Sequence, residues 1–139
     1  MRVVLDTSVL VAGVRSRRGA SFQLLSSIGS SDFEIAVSVP LVLEYEDVLL
    51  RHLAATALDE EDVRSIIDYM CSVAIRQEIF FLWRPLLRDP GDDLVLELAV
   101  AADCDAIVTH NVRDFGGAGS FGVRVLNPGE FLRQLRSLK

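Results

Sequence analysis

Residues 1–14 read MRVVLDTSVLVAGV, and the fold turns on how the first half of that stretch is read. Arg2–Leu5 carries a continuous apolar run, which predicts a strand buried on both faces. The run ends at Asp6, followed by two hydroxyl residues, Thr7 and Ser8. A strand covered on both faces belongs to a parallel sheet, so the rest of the chain is read for further strands and the helices that connect them.

An arginine-rich turn at Arg15–Gly19 leads into a helix expected over Ser21–Ile28, and Glu34–Ser38 reads as a second short strand. Pro40 suits the first turn of a helix running to about His52, where its missing N–H is not needed. Asp59–Arg76 opens on acids and carries Val63, Ile66, Ile67, Met70 and Ala74 at helical spacing. Ile79–Trp83 reads as a strand, Pro85–Gly91 as a loop, and Asp92–Ala102 as a very apolar helix opening on two aspartates. Ala106–Thr109 is another buried strand, Val123–Leu126 the last one, and Pro128–Leu138 a closing helix. Strands alternating with helices predict an α/β protein, a three-layer α/β/α sandwich with a mostly parallel central sheet. The 139 residues suit a single domain, 1–139.

Composition narrows the class. Apolar residues make up 50% and charged ones 24%, the balance of a compact protein with some apolar surplus for an oligomer interface. No apolar run is long enough to cross a bilayer and no signal-like segment opens the chain, so a cytoplasmic protein without a membrane partner is expected. Cys71 and Cys104 fit no CxxC or metal-ligand spacing and read as small core residues. The net charge of −6 argues against a nucleic-acid partner. Its distribution tempers that: residues 1–31 hold Arg2, Arg15, Arg17 and Arg18 against Asp6, and acids concentrate in residues 44–62. The basic residues are nearly all arginine, the side chain suited to phosphate, although arginine usage can also be a compositional habit.

In open parallel sheets ligands bind at the carboxyl ends of the strands, where Asp6 and Thr109–Asn111 fall. On the helix from Pro40, Glu44 shares the stripe of Leu41, Tyr45, Val48 and His52, at its edge or reaching water. Asp92 and Asp93 are either first-turn acids favoured by the helix dipole or site residues. Glu97, one turn on, is a rim contact or a hydrogen-bond partner of the site. Asp114 stands in a polar turn and has ordinary turn chemistry as its alternative. Together Asp6, Glu44, Asp93 and Asp114 converge on one edge, and carboxylates gathered without a lysine call for a hard divalent cation, Mg²⁺ or Mn²⁺. Such a site invites phosphate chemistry.

DTSVL after the first strand, VPLVLEYEDVL, and RDPGDDLVLELAVAADCDAIVTHNVRDF resemble the PIN-domain family of metal-dependent ribonucleases, especially the short toxin-type proteins of VapBC pairs. The resemblance implies a PIN-like fold and an endoribonuclease that hydrolyses RNA with Mg²⁺ or Mn²⁺. It makes Asp6, Glu44, Asp93 and Asp114 the four acids, catalytic and metal-holding, with Ser8 and Thr109 supporting them by hydrogen bonding. Many relatives have an aspartate where this chain has Asn111, so Asn111 and Asp114 share the last position. Asp93 is preferred as third acid for its distance to Thr109, with Asp92 as second choice. One or two ions would activate water for in-line attack, leaving a 5′-phosphate and a 3′-hydroxyl. Arg15, Arg17, Arg18 and Arg113 are candidates to hold RNA phosphates, or else solvated loop residues. The implied partners are RNA, a small antitoxin whose tail covers the acidic groove, and a second copy in a homodimer. Alternatives are a non-catalytic binding or assembly module and an aspartate-dependent phosphatase. The phosphatase wants a second acid where this chain has Ser8, and a receiver domain wants a late lysine where only Lys139 exists.

Overall fold

The computed structural model describes residues 1–79 and 90–138. Five strands, β1 (Arg2–Leu5), β2 (Glu34–Val37), β3 (Ile75–Arg76), β4 (Ala106–Val108) and β5 (Arg124–Leu126), form one sheet in the order β3-β2-β1-β4-β5. Every pairing is parallel. Val3, Val4 and Leu5 are all buried, as are Ala106, Ile107 and Val108. Successive side chains point to opposite faces of a sheet, so both faces are covered at these two adjacent interior strands.

The covering helices are α1 (Thr7–Arg15), α2 (Ala20–Ser26), α3 (Val39–Arg51), α4 (Glu60–Val73), α5 (Pro90–Ala101) and α6 (Pro128–Ser137). Their starts are chemically marked. Ser38 accepts a hydrogen bond from the Leu41 N–H ahead of α3, and Asp59 with Asp62 and Asn127 with Glu130 form reciprocal capping boxes on α4 and α6. The core joins Val9 and Leu10 of α1, Leu41, Tyr45 and Leu49 of α3, Val63, Ile67 and Met70 of α4, and Val95, Leu96, Leu98 and Ala99 of α5 to the sheet. Cys104 is buried in this core, and Cys71 packs partly buried against it.

Several elements differ from the sequence reading. Thr7–Arg15, to which that reading assigns no element, is a helix despite Thr7, Val9, Val11, Val14 and Gly13, all poor helix formers. Burial decides it: Val9, Leu10 and Gly13 face inward, and a Cβ on Gly13 would overlap Leu25 of α2 and come within 3.3 Å of the Ser21 carbonyl. The expected helix Asp59–Arg76 stops at Val73, and Ile75–Arg76 pairs with Ala36–Val37 as the third strand. Ile79, expected to open that strand, lies in none, and the remainder of the Ile79–Trp83 strand falls outside the described residues. Of the expected loop Pro85–Gly91, Pro90 and Gly91 belong to α5 and the rest is also outside them. Every strand pairing among the described residues is parallel, in agreement with the expected α/β/α sandwich. Among the described residues no helix is long and apolar enough to cross a membrane.

Candidate active site

The strand order reverses at β1. From there β2 and β3 extend to one side and β4 and β5 to the other, so a crevice opens beyond the carboxyl ends of β1 and β4. The register pairs Leu5 with Val108, and the Asp6 N–H donates to the Val108 carbonyl at 2.9 Å. Asp6 is therefore locked by the sheet ladder while its side chain stands past the end of the strand. Asp6 occupies the N-cap position of α1, yet its carboxylate makes no capping bond. Instead Ser8 Oγ and Thr109 Oγ1 both donate to Asp6 Oδ2 at 2.7 Å. Among the described residues nothing donates to Oδ1, so one carboxylate oxygen fixes the group and the other is available to a ligand.

The supporting hydroxyls are themselves held. Thr109 is fully buried and accepts the Asn111 N–H at 2.9 Å, and Ser8 Oγ accepts the His110 N–H at 3.2 Å. Glu44 arrives from α3, where Thr7 Oγ1 donates to its carboxylate at 3.3 Å. Its neighbour Tyr45 is buried and donates its hydroxyl to the Leu5 carbonyl, tying α3 to the end of β1. Burial first, then the negative charges of Asp6 and Glu44, hold the Tyr45 phenol well above its usual range. Both carboxylates thus lie within electrostatic reach of one ring. Asp114 comes from the 3₁₀ turn Val112–Phe115, pinned by the buried Phe115 and by the Asp114 N–H to the Asn111 carbonyl at 2.9 Å.

A cleft of about 420 Å³ collects these groups, and Asp6, Thr7, Ser8, Glu44, Asp92, Asn111 and Asp114 line it. Asp92 and Asp93 divide in a way the sequence leaves open. Asp92 lines the cleft, whereas Asp93 is only 8% exposed and lies outside its lining, as do the buried Glu97 and Thr109. None of Arg15, Arg17, Arg18 and Arg113 lines the cleft; all four are exposed, and Arg17 borders a separate groove with Phe22, Leu25 and Tyr69. Three cleft residues with polar side chains escaped the sequence reading as site residues: Thr7, His52 and His110. The signal for His52 was its place two turns beyond Glu44 on the same stripe, and for His110 its position beside Thr109.

Apart from His52 and His110 the side-chain groups on the cleft that could hold a metal are oxygens, the chemistry that suits a hard divalent ion, and Asp6 Oδ1 is an oxygen such an ion could take. Among the described residues no three His, Cys, Asp or Glu side chains stand close enough together to form a ready-made metal cluster.

A sequence profile for the PIN domain matches residues 2–113. No curated protein matches the chain. Among solved structures the chain is similar to VapBC2 from Rickettsia felis bound to a DNA fragment from their promoter, with a TM-score of 0.58 and 17% identity over 91% of this chain and 98% of that one. It is similar also to FitAB bound to an IR36 DNA fragment, with a TM-score of 0.57 and 15% identity over 91% of this chain and 94% of that one. Identities this low speak to the fold, which is the five-stranded parallel arrangement described above. With the profile spanning most of the chain, from the first strand through the turn that follows β4, the chain belongs to the PIN-domain family.

Proposed function

We propose that this protein is a metal-dependent endoribonuclease and the toxin component of a toxin–antitoxin pair, acting through the cleft around Asp6. The observation that carries the reading is the Asp6 carboxylate, held on Oδ2 by Ser8 and Thr109 at the sheet's switch point while Glu44, Asp92, Asn111 and Asp114 line the same cleft. In a family of nucleases, four acids on such an edge suit hydrolysis of a phosphodiester.

Mg²⁺ or Mn²⁺ would be held by Asp6, Glu44, an aspartate at the start of α5, and Asp114 or Asn111. Asp93 is the third acid by its spacing from Thr109 and Asp92 by its place in the cleft lining. When bound, the ion supplies charge neutralisation and activation of water. The chain's own part is to hold this arrangement rigidly. Asp6 is fixed by a ladder bond and two hydroxyls, Thr7 orients Glu44, and Phe115 anchors the turn that presents Asp114. A rigid first set of ligands on the end of a buried strand is what precise positioning of a scissile phosphate requires.

An antitoxin whose tail covers the acidic cleft is the partner this reading requires, and VapBC2 and FitAB, both of two named components, support it. A homodimer in the cytoplasm completes the proposal, with Val39 and Leu43, exposed on α3 at 73% and 62%, as apolar surface for the contact. Purified protein with end-labelled single-stranded RNA tests the chemistry. Cleavage in Mg²⁺ or Mn²⁺ that stops with chelator, leaving 5′-phosphate ends, is expected; cleavage indifferent to chelator, or products with cyclic phosphates, would count against the metal-dependent reading.

A further inference from the structure

The chain contains two histidines, and both line the acidic cleft. Their ring nitrogens are placed differently. His110 Nε2 lies 2.6 Å from the hydroxyl of Ser21, a residue of α2 that is only 3% exposed, so this ring is braced against the fold. His52 stands at the carboxyl end of α3, and its Nδ1 is 2.8 Å from the Val48 carbonyl oxygen of the same helix. A carbonyl can only accept, so Nδ1 carries the hydrogen. In the neutral ring Nε2 is then a lone pair, an acceptor with no partner among the described residues.

The chemistry of the cleft limits what can satisfy that acceptor. A phosphate oxygen is itself an acceptor and can meet Nε2 only when the ring is charged, a contact that a 2′-fluorine substitution would leave in place. A hydroxyl fits. An RNA strand lying across the cleft presents one 2′-hydroxyl per nucleotide, a donor that DNA lacks. We infer that His52 Nε2 accepts a hydrogen bond from a ribose 2′-hydroxyl of the bound strand, which makes His52 a residue that distinguishes RNA from DNA. This rests on the ribonuclease reading above and adds the group that recognises the sugar.

The test is a cycle between side chain and substrate. Wild type, His52→Ala and His52→Gln are compared on an all-ribose oligonucleotide and on a set in which single nucleotides around the cleavage point carry 2′-fluorine, which cannot donate. One substitution should lower wild-type kcat/KM by about tenfold, the size of a single hydrogen bond made to a well-placed acceptor. His52→Ala should lose a similar factor on the all-ribose strand and be indifferent to that fluorine, and His52→Gln, whose amide oxygen can accept, should recover part of it. The inference is overturned if the fluorine costs His52→Ala as much as wild type, or if no position matters to wild type. A wild type that cuts no RNA at all overturns the ribonuclease reading and this inference with it, so the two failures are distinct.

Discussion

Asp6 is 6% exposed, and no salt bridge between described residues involves it. Two hydroxyl donors on one oxygen and a ladder bond on its N–H define its position instead. Thr109→Val keeps the shape of the side chain but removes one of those donors and the acceptor of the Asn111 N–H. We expect a stability loss of about 1–3 kcal/mol from unpaired buried groups, read as a lowered midpoint in urea unfolding, together with a clear drop in RNA cleavage. Ser8→Ala, at a half-buried position, should show the same direction with a smaller loss. At this scale the placement was legible: an acid closing an apolar run, followed by hydroxyls, stands at the end of β1 with Ser8 bonded to it. The choice between Asp92 and Asp93 was not. Adjacent helix residues point about 100° apart, so one lines the cleft and the other turns inward, and only the packing of α5 fixes which.

Helix α3 delivers Glu44 because Tyr45, the next residue, fastens the helix to the Leu5 carbonyl. Tyr45→Phe retains the ring and leaves that carbonyl without its donor, so a destabilisation of about 1–2 kcal/mol is expected, measurable as a lower Tm. Helices α1 and α2 meet at Gly13, where an added Cβ would overlap Leu25. Gly13→Ala gains up to about 1 kcal/mol of helix propensity and incurs about 1–3 kcal/mol of overpacking, so Tm should fall; a rise would mean that the two helices separate easily. The same residues explain why α1 was illegible. Its sequence is rich in β-branched residues and glycine, and its helical form follows from close contact with α2 and α3 rather than from local preference. The two-residue strand β3 was hidden for a similar reason: pairing with Ala36 and Val37 makes it a strand, and a partner is not visible in a local pattern. The buried central strands, by contrast, announce themselves as unbroken apolar runs.

Across the whole molecule, the switch point of a parallel sheet places Asp6 and Thr109 side by side although 103 positions separate them. Net charge says little about what the cleft itself binds, because it averages an arginine-bearing start with acids that the fold gathers in part around the cleft. The core also carries a pH liability. Burial, opposed by Arg2 and reinforced by Asp105 and Asp103, pushes the Cys104 thiol up to about 12. The unfolded chain would release that proton from roughly pH 8.5 upward, while the native state keeps it until the higher value. The unfolded state therefore binds fewer protons in that window, and stability should fall with rising pH by at most about 1.4 kcal/mol per unit from this group. Tyr45, shifted the same way, adds to the fall at higher pH. Unfolding midpoints at pH 8 and 10 check this, and Cys104→Ala should narrow the difference. Sedimentation equilibrium of wild type and Leu43→Asp tests the dimer, with a dimer expected for the first and a monomer for the second. The proposal from which the others follow is cleavage of RNA in the cleft around Asp6. It is tested most directly by timing the cleavage of one single-stranded RNA by wild type and by Asp6→Asn, both shown folded by circular dichroism, in Mn²⁺. Rapid cleavage by the wild type and a loss of at least about a hundredfold in the variant are expected, because the amide lacks the charge that would help hold the ion. Equal cleavage by the two proteins would contradict it.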